Sequence, residues 1–152
     1  AINHFPIILP IVGLILLIAG STLKSSILKQ TGYGFYILAA LLTVAAYSSG
    51  EAAEHFIEDL PGVEEKYIEI HEEAAEIFAK IMYLLGGISL LGLWACLKRK
   101  RFAKRVVYST IILTILALFY AKKTGTTGGE IKHAEIRTDA DATVNDTYSD
   151  DD

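Results

Sequence analysis

Cysteine is almost absent. Cys96 is the only one in 152 residues, so the chain can form neither an internal disulfide nor a cysteine-built metal site. No cleavable signal peptide is evident: the first apolar run lacks a basic region before it and a small-residue cleavage site after it, so it is expected to stay in the mature protein. No internal repeat is present. No Ser/His/Asp or Cys/His arrangement is recognisable, which leaves nucleophilic enzyme chemistry without support. Charge is missing from long parts of the chain, and acidic residues are missing from two of its three connections.

What is present is apolar length. Hydrophobic residues make up 52% of the chain, yet 21% of it is charged, so the class depends on where the charges fall. Four apolar runs stand out: Phe5 to Leu23, Tyr33 to Ser49, Ile81 to Leu97 with an amphipathic lead-in from about Val63, and Val106 to Ala121. Crossing the hydrocarbon takes about 20 helical residues, with about 17 near the short limit. The later runs therefore need adjoining helical turns to complete them. A soluble bundle would show a polar stripe on each helix, and these runs show almost none. The expected fold is all-α: a four-helix transmembrane bundle with helical extensions at one end, spans at about 5–23, 33–50, 74–97 and 106–122 within a single domain 1–137. The remaining stretch, 138–152, is rich in Asp, Thr and Ser and reads as a mobile acidic tail.

Pro6 and Pro10 fall in the first turns of run one, where a missing donor is tolerated. Gly86, Gly87 and Gly92 sit inside run three. Small residues there let neighbouring helices approach closely, where lipid supplies no hydrophobic drive for association. Pro61-Gly62 marks a turn in the long second connection and splits it into two helical extensions.

Four crossings put the first and third connections on one side and the second connection with both termini on the other. The first side then carries Lys24, Lys29, Lys98, Arg99, Lys100, Arg101, Lys104 and Arg105 and no acidic residue. The other carries all eighteen acidic residues and the remaining six basic ones. Basic residues in short loops stay in the cytoplasm. The basic side is therefore expected to be cytoplasmic, and the side with both termini to face the periplasm or exterior.

The same topology gathers the histidines. His4 immediately precedes run one, His55 follows run two, His71 lies in the lead-in to run three, and His133 follows run four, so all four belong to the acidic side. Glu51 and His55 share a helical face at i, i+4, with Glu54 adjacent, and Glu130 stands at i, i+3 to His133. Small residues border the imidazoles: Ala52 and Ala53, Ala74 and Ala75, Gly128 and Gly129. A neutral imidazole is the commonest metal ligand, and its second nitrogen needs an orienting acceptor, which Glu51, Glu54 or Glu130 would supply. Three readings follow. Pairs of histidines hold b-type haem between helix ends; a mixed histidine and carboxylate site holds an iron, copper or zinc ion; or the histidines are interfacial and merely hydrogen-bonded. A di-iron bundle needs Glu ligands inside the core, and the apolar runs offer none.

Three motifs, in order, carry a family resemblance. They are His4-Phe5-Pro6 at the start of the first span, the run from Glu51-x-x-Glu54-His55 through Leu60-Pro61-Gly62 to His71-Glu72-Glu73, and Gly128-Gly129-Glu130 followed by His133. In these the chain resembles the bacterial four-span membrane proteins catalogued as domain of unknown function 2231, over roughly residues 3 to 135. Ile131-Lys132 replaces a Leu-Val-Tyr-type stretch of that family, and Ala134 stands where it has glycine. The resemblance implies the four-span fold and no settled activity. With the topology from charge, it implies a multi-pass protein of the bacterial cytoplasmic (inner) membrane, with both termini periplasmic. Some relatives are joined to, or encoded near, c-type cytochrome modules, which implies a redox role on the outer face.

The sequence therefore leads to two expectations. One is an integral membrane electron-transfer protein or subunit. In it His4, His55, His71 and His133 bind haem b or a metal, and electrons pass to a periplasmic c-type cytochrome or quinol. Its acidic face would attract a basic partner. The other is a non-catalytic accessory subunit of a larger membrane complex or homo-oligomer, in which the spans are packing surface against lipid and neighbouring subunits.

Overall fold

A computed structural model describes residues 4–57 and 65–132, with side chains except at 51–57 and 131–132. The Pro61-Gly62 turn, His133 and the acidic tail lie outside the described residues. Among those residues the chain is four helices and no strand: α1 (Phe5–Thr22), α2 (Ser26–Ile57), α3 (Glu65–Leu97) and α4 (Ala103–Lys132). Each packs on the next in sequence, and α1 also touches α4, which closes an up-down-up-down bundle. All four helices are long and apolar enough to cross a membrane.

The two short turns explain the shape. Between α1 and α2 only Leu23 to Ser25 intervene. Lys24 takes the left-handed conformation (φ 53°), and the Ser25 hydroxyl accepts the Leu28 N–H at 3.3 Å, capping α2. The α3–α4 turn opens with paired reverse bonds. Lys100 N–H reaches Ala95 C=O at 2.9 Å and Arg99 N–H reaches Cys96 C=O at 3.2 Å, with Arg99 left-handed at φ 49°. This is a Schellman motif, and it stops a helix sharply even though arginine holds the place usually given to glycine. Both turns lie at the basic end, so all four helices are flush there. At 1.5 Å per residue α1 is about 27 Å long, close to the hydrocarbon thickness, whereas α2 and α3 approach about 50 Å. The surplus must project at the opposite, histidine-bearing end.

Outward faces are apolar. Ile15, Leu41, Ile112 and Phe119 are each more than 60% exposed. In water such surface would cost about 25 cal/mol per Å²; against lipid tails it costs nothing. Inside, Tyr33 and Tyr36 of α2 are completely buried together with Leu17, Met82 and Leu85. Core hydroxyls mostly return to their own helix: Thr43 to Ala39 C=O at 2.8 Å, Thr110 to Val106 C=O at 2.8 Å, Thr114 to Thr110 C=O at 2.7 Å. Thr114 and the Tyr36 hydroxyl are also hydrogen-bonded, at 3.0 Å, tying α4 to α2. A polar group in a membrane interior must be satisfied within the protein, and these bonds do so.

Of the three glycines in α3, two are contact points. A Cβ on Gly92 would overlap the Tyr33 ring and stand 2.7 Å from its hydroxyl; one on Gly86 would stand 2.6 Å from the Ala40 methyl. Gly87 faces outward with nothing within 4 Å.

Candidate functional site

The end to which the surplus helix length projects is built from the first turn of α1, the last turns of α2, the first turns of α3 and the last turns of α4. Between Glu65 and Lys80, α3 carries five carboxylates and two lysines, so hydrocarbon begins beyond them, at the uncharged stretch from Ile81 to Leu97. His71 lies ten residues before Ile81, about 15 Å along the axis, outside the membrane-spanning segment.

His71 is held in the seam between α3 and α4. Its Nδ1 and the Thr127 hydroxyl are hydrogen-bonded at 3.1 Å, and Thr127 in turn donates to Thr124 C=O at 3.2 Å. Which of the two donates depends on the imidazole tautomer: Nδ1–H donates when Thr127 gives its own proton to the Thr124 carbonyl, and Nε2 then keeps the lone pair. One turn along α3, the Thr124 hydroxyl donates to Ala74 C=O at 3.1 Å, a second bond across the same seam. Gly128 forms the floor. A Cβ there would meet the imidazole Cε1 at 3.1 Å and Nδ1 at 3.4 Å, so the ring lies against bare α4 backbone. Tyr67, one turn before His71, is buried. Burial holds the His71 pKa below the usual histidine value, opposed in part by a hydrogen bond to the Thr124 backbone.

The other predicted residues are placed as follows. His4 precedes α1 as its N-cap residue; its side chain is exposed and makes no capping bond. His55 belongs to the last turns of α2, with Glu51 and Glu54, and the side chains of all three lie outside the described residues. Glu130 is half-buried near the end of α4, and His133 lies outside the described residues. The topology thus brings the helix ends bearing His4, His55 and His71 to one face. Among the described residues, no three His, Cys, Asp or Glu side chains converge as a metal ion would require. Cys96 belongs to the last turn of α3, at the opposite end.

Sequence reasoning missed Thr124 and Thr127. They stand at i, i+3 just before Gly128, so the pattern Thr-x-x-Thr-Gly on the last turns of a span was a readable sign of hydroxyls beside a glycine floor.

Comparison of the chain with family models, with curated proteins and with solved structures finds no match in any of the three.

Proposed function

We propose that this multi-pass protein is an electron-transfer protein or subunit of the bacterial cytoplasmic membrane. A histidine centre for haem b, or for an iron, copper or zinc ion, would lie at its acidic, periplasmic end. The observation that supports this reading is the setting of His71. One imidazole nitrogen is hydrogen-bonded to a hydroxyl on the neighbouring helix and the ring is braced against glycine backbone; in the tautomer with Nδ1–H donating, Nε2 is left as the ligand. Metal-binding histidines are oriented in this manner. The donor chemistry fits haem b or a borderline metal ion for one ligand; His4, His55 and His133 are the proposed sources of the rest, with Glu51, Glu54 and Glu130 as their acceptors. When bound, such a group supplies a one-electron couple or a Lewis-acid centre. The chain's own part is to hold the His71 ring, keep Nδ1 protonated and present Nε2 at the membrane surface. The acidic lead-in of α3 would draw a basic carrier such as a small c-type cytochrome, and quinol could reach the same end from the bilayer. Resemblance to the four-span family of domain of unknown function 2231 belongs to this proposal.

Protein purified in mild detergent is expected to show a Soret band with a reducible α-band, or iron, copper or zinc near stoichiometry by elemental analysis. His71→Ala should reduce occupancy with the fold retained. A folded preparation that is colourless and metal-free overturns the reading. A compartment reporter fused at Lys100 tests the orientation, and a periplasmic signal there would reverse it.

A second reading has its own observation. The His71–Thr127 and Thr124–Ala74 bonds also satisfy those side chains as ties between two helices. That is what a non-catalytic accessory subunit of a membrane complex requires. Co-purification of neighbouring subunits with a metal-free chain would favour it.

A further inference from the structure

At the opposite end, a groove of about 300 Å³ opens between α3 and α4, lined by Ile88, Leu91, Phe102, Arg105, Val106 and Ser109. Its walls follow an order of depth. Phe102 and Arg105 stand at the mouth, beside the α3–α4 turn. Ser109 lies one turn further along α4, about 6 Å deeper. Leu91 and Ile88 lie about 9 and about 14 Å along α3 from its end at Leu97. Arg105 is thus nearest the surface, with Phe102 and Val106 beside it; Ser109 and Leu91 lie about a turn deeper, and Ile88 is deepest. A glycerophospholipid presents, from the surface inward, phosphate, ester carbonyl, then acyl chain.

The surroundings select the kind of headgroup. From Lys98 to Arg105 there are six basic residues and no acidic one, and Lys98, Lys100, Arg101, Lys104 and Arg105 are all exposed. Two of these cations lean on aromatic rings at the membrane edge: Lys100 lies 5.1 Å from the Trp94 ring centre and Lys104 lies 6.0 Å from that of Tyr108. The Trp94 and Phe102 rings are 6.2 Å apart and brace the turn. Among the described residues the Arg105 guanidinium has no carboxylate partner. A choline headgroup would set its own cation against this cluster, whereas a glycerol headgroup leaves the phosphate as the only charge.

The geometry points to a specific site for one anionic phospholipid. Its phosphate is held by the Arg105 guanidinium, a glycerol ester carbonyl accepts from the Ser109 hydroxyl, and one acyl chain lies in the groove against Ile88, Leu91 and Val106. The site stands apart from the histidine centre and does not depend on it.

Native mass spectrometry of the full chain, released from detergent after titration with phosphatidylglycerol or phosphatidylcholine, tests this. Phosphatidylglycerol should saturate at one tightly retained molecule and bind at least about fivefold more tightly than phosphatidylcholine, the scale expected for one surface cation. Arg105→Gln should remove that preference, while Lys104→Gln, outside the groove lining, should leave it within about twofold. Ile88→Trp, which fills the groove without altering charge, should abolish the retained adduct in a chain that still unfolds cooperatively. Equal retention of the two lipids would overturn the site. So would graded, unsaturating uptake that Lys104→Gln weakens as much as Arg105→Gln, because that pattern belongs to a diffuse basic surface.

Discussion

At the histidine end three polar side chains turn inward from an otherwise exposed charged surface, and at the basic end the residues of the α3–α4 turn point their charges outward. His71, Thr124 and Thr127 are bonded across the α3–α4 seam, one helix to the other. Lys100 and Lys104 instead lie over aromatic rings on the outer surface, and nearby the α2–α3 seam closes by shape: the Tyr33 ring fills the space that a side chain on Gly92 would need. The difference follows from surroundings. Near the membrane surface a seam can use hydrogen bonds, because water and charged groups are close by. Deeper in the bundle an unpaired polar atom has no such recourse, so close packing dominates there, beside the buried Thr114–Tyr36 bond that ties α4 to α2. Ser89 shows the limit, since among the described residues its buried hydroxyl lacks a hydrogen-bond partner. The basic half should therefore fail through steric change, and the histidine half through loss of hydrogen bonding.

The steric half gives the largest expected effect. Gly92→Ala places a methyl within the Tyr33 ring, which is fully buried and has nowhere to move. Overpacking of this kind costs about 1–3 kcal/mol, and this overlap belongs at the upper end. Gly87→Ala, five residues earlier and facing open space, should instead raise stability by up to about 1 kcal/mol through helix propensity. Unfolding in mixed micelles measures both. Equal effects would show that Tyr33 yields and that the basic half is not closed by shape.

The hydrogen-bonded half should respond to a change that leaves shape intact. Thr127→Val keeps the volume but removes the hydrogen-bond partner of His71 Nδ1. A buried polar group left unpaired costs about 1–3 kcal/mol, less here because the imidazole is only half-buried. Thr127→Ser should restore most of the loss. If Thr127→Val is as stable as the parent, the α3–α4 seam at this end is held by packing as well, and the contrast between the ends disappears.

Acidity tests the same imidazole. Its pKa is depressed in the folded chain because burial disfavours the cation. The unfolded chain binds the proton more readily, so this contribution is complete above about pH 6.5 and is lost as pH falls below that value. Stability should decline between pH 7.5 and 5.5. His71→Asn, which retains an N–H for Thr127, should flatten that part of the profile. An unchanged slope would assign the decline to other histidines.

The alternation of four uncharged runs with charged connections was enough to read the bundle, since only helices can satisfy backbone groups across lipid in so few residues. The ends of the helices were less legible. Run two begins at Tyr33, but α2 begins at Ser26, because Ser25 caps it and the half-buried Lys29 packs its stem against Gly20 of α1 without breaking the helix. α4 continues through Gly125, Gly128 and Gly129 to Lys132, well past the end of the fourth apolar run at Ala121. Contact with α3 at His71 and Ala74 outweighs the poor helix propensity of those glycines. Within the site, His71 was legible from its lead-in position, whereas its actual partner is a threonine on another helix rather than a nearby carboxylate. Sequence spacing identifies neighbours on one helix; it carries no information on which residue of α4 faces α3.

The smallest effect is expected from the charge pair most visible on α3. Glu76 and Lys80 stand at i, i+4 and approach to 2.7 Å, but their side chains are 49% and 66% exposed. Water and salt screen such a pair, and holding two long side chains in one geometry opposes the gain, so coupling is about 0.3–0.5 kcal/mol. A double-mutant cycle with Glu76→Gln and Lys80→Gln, followed by unfolding at low and high salt, measures it. Coupling that approached the effect of Thr127→Val would mean that this end draws its stability from surface charge. Coupling near the expected value leaves the interior seam, one and a half turns away at His71, as the feature that fixes α3 against α4.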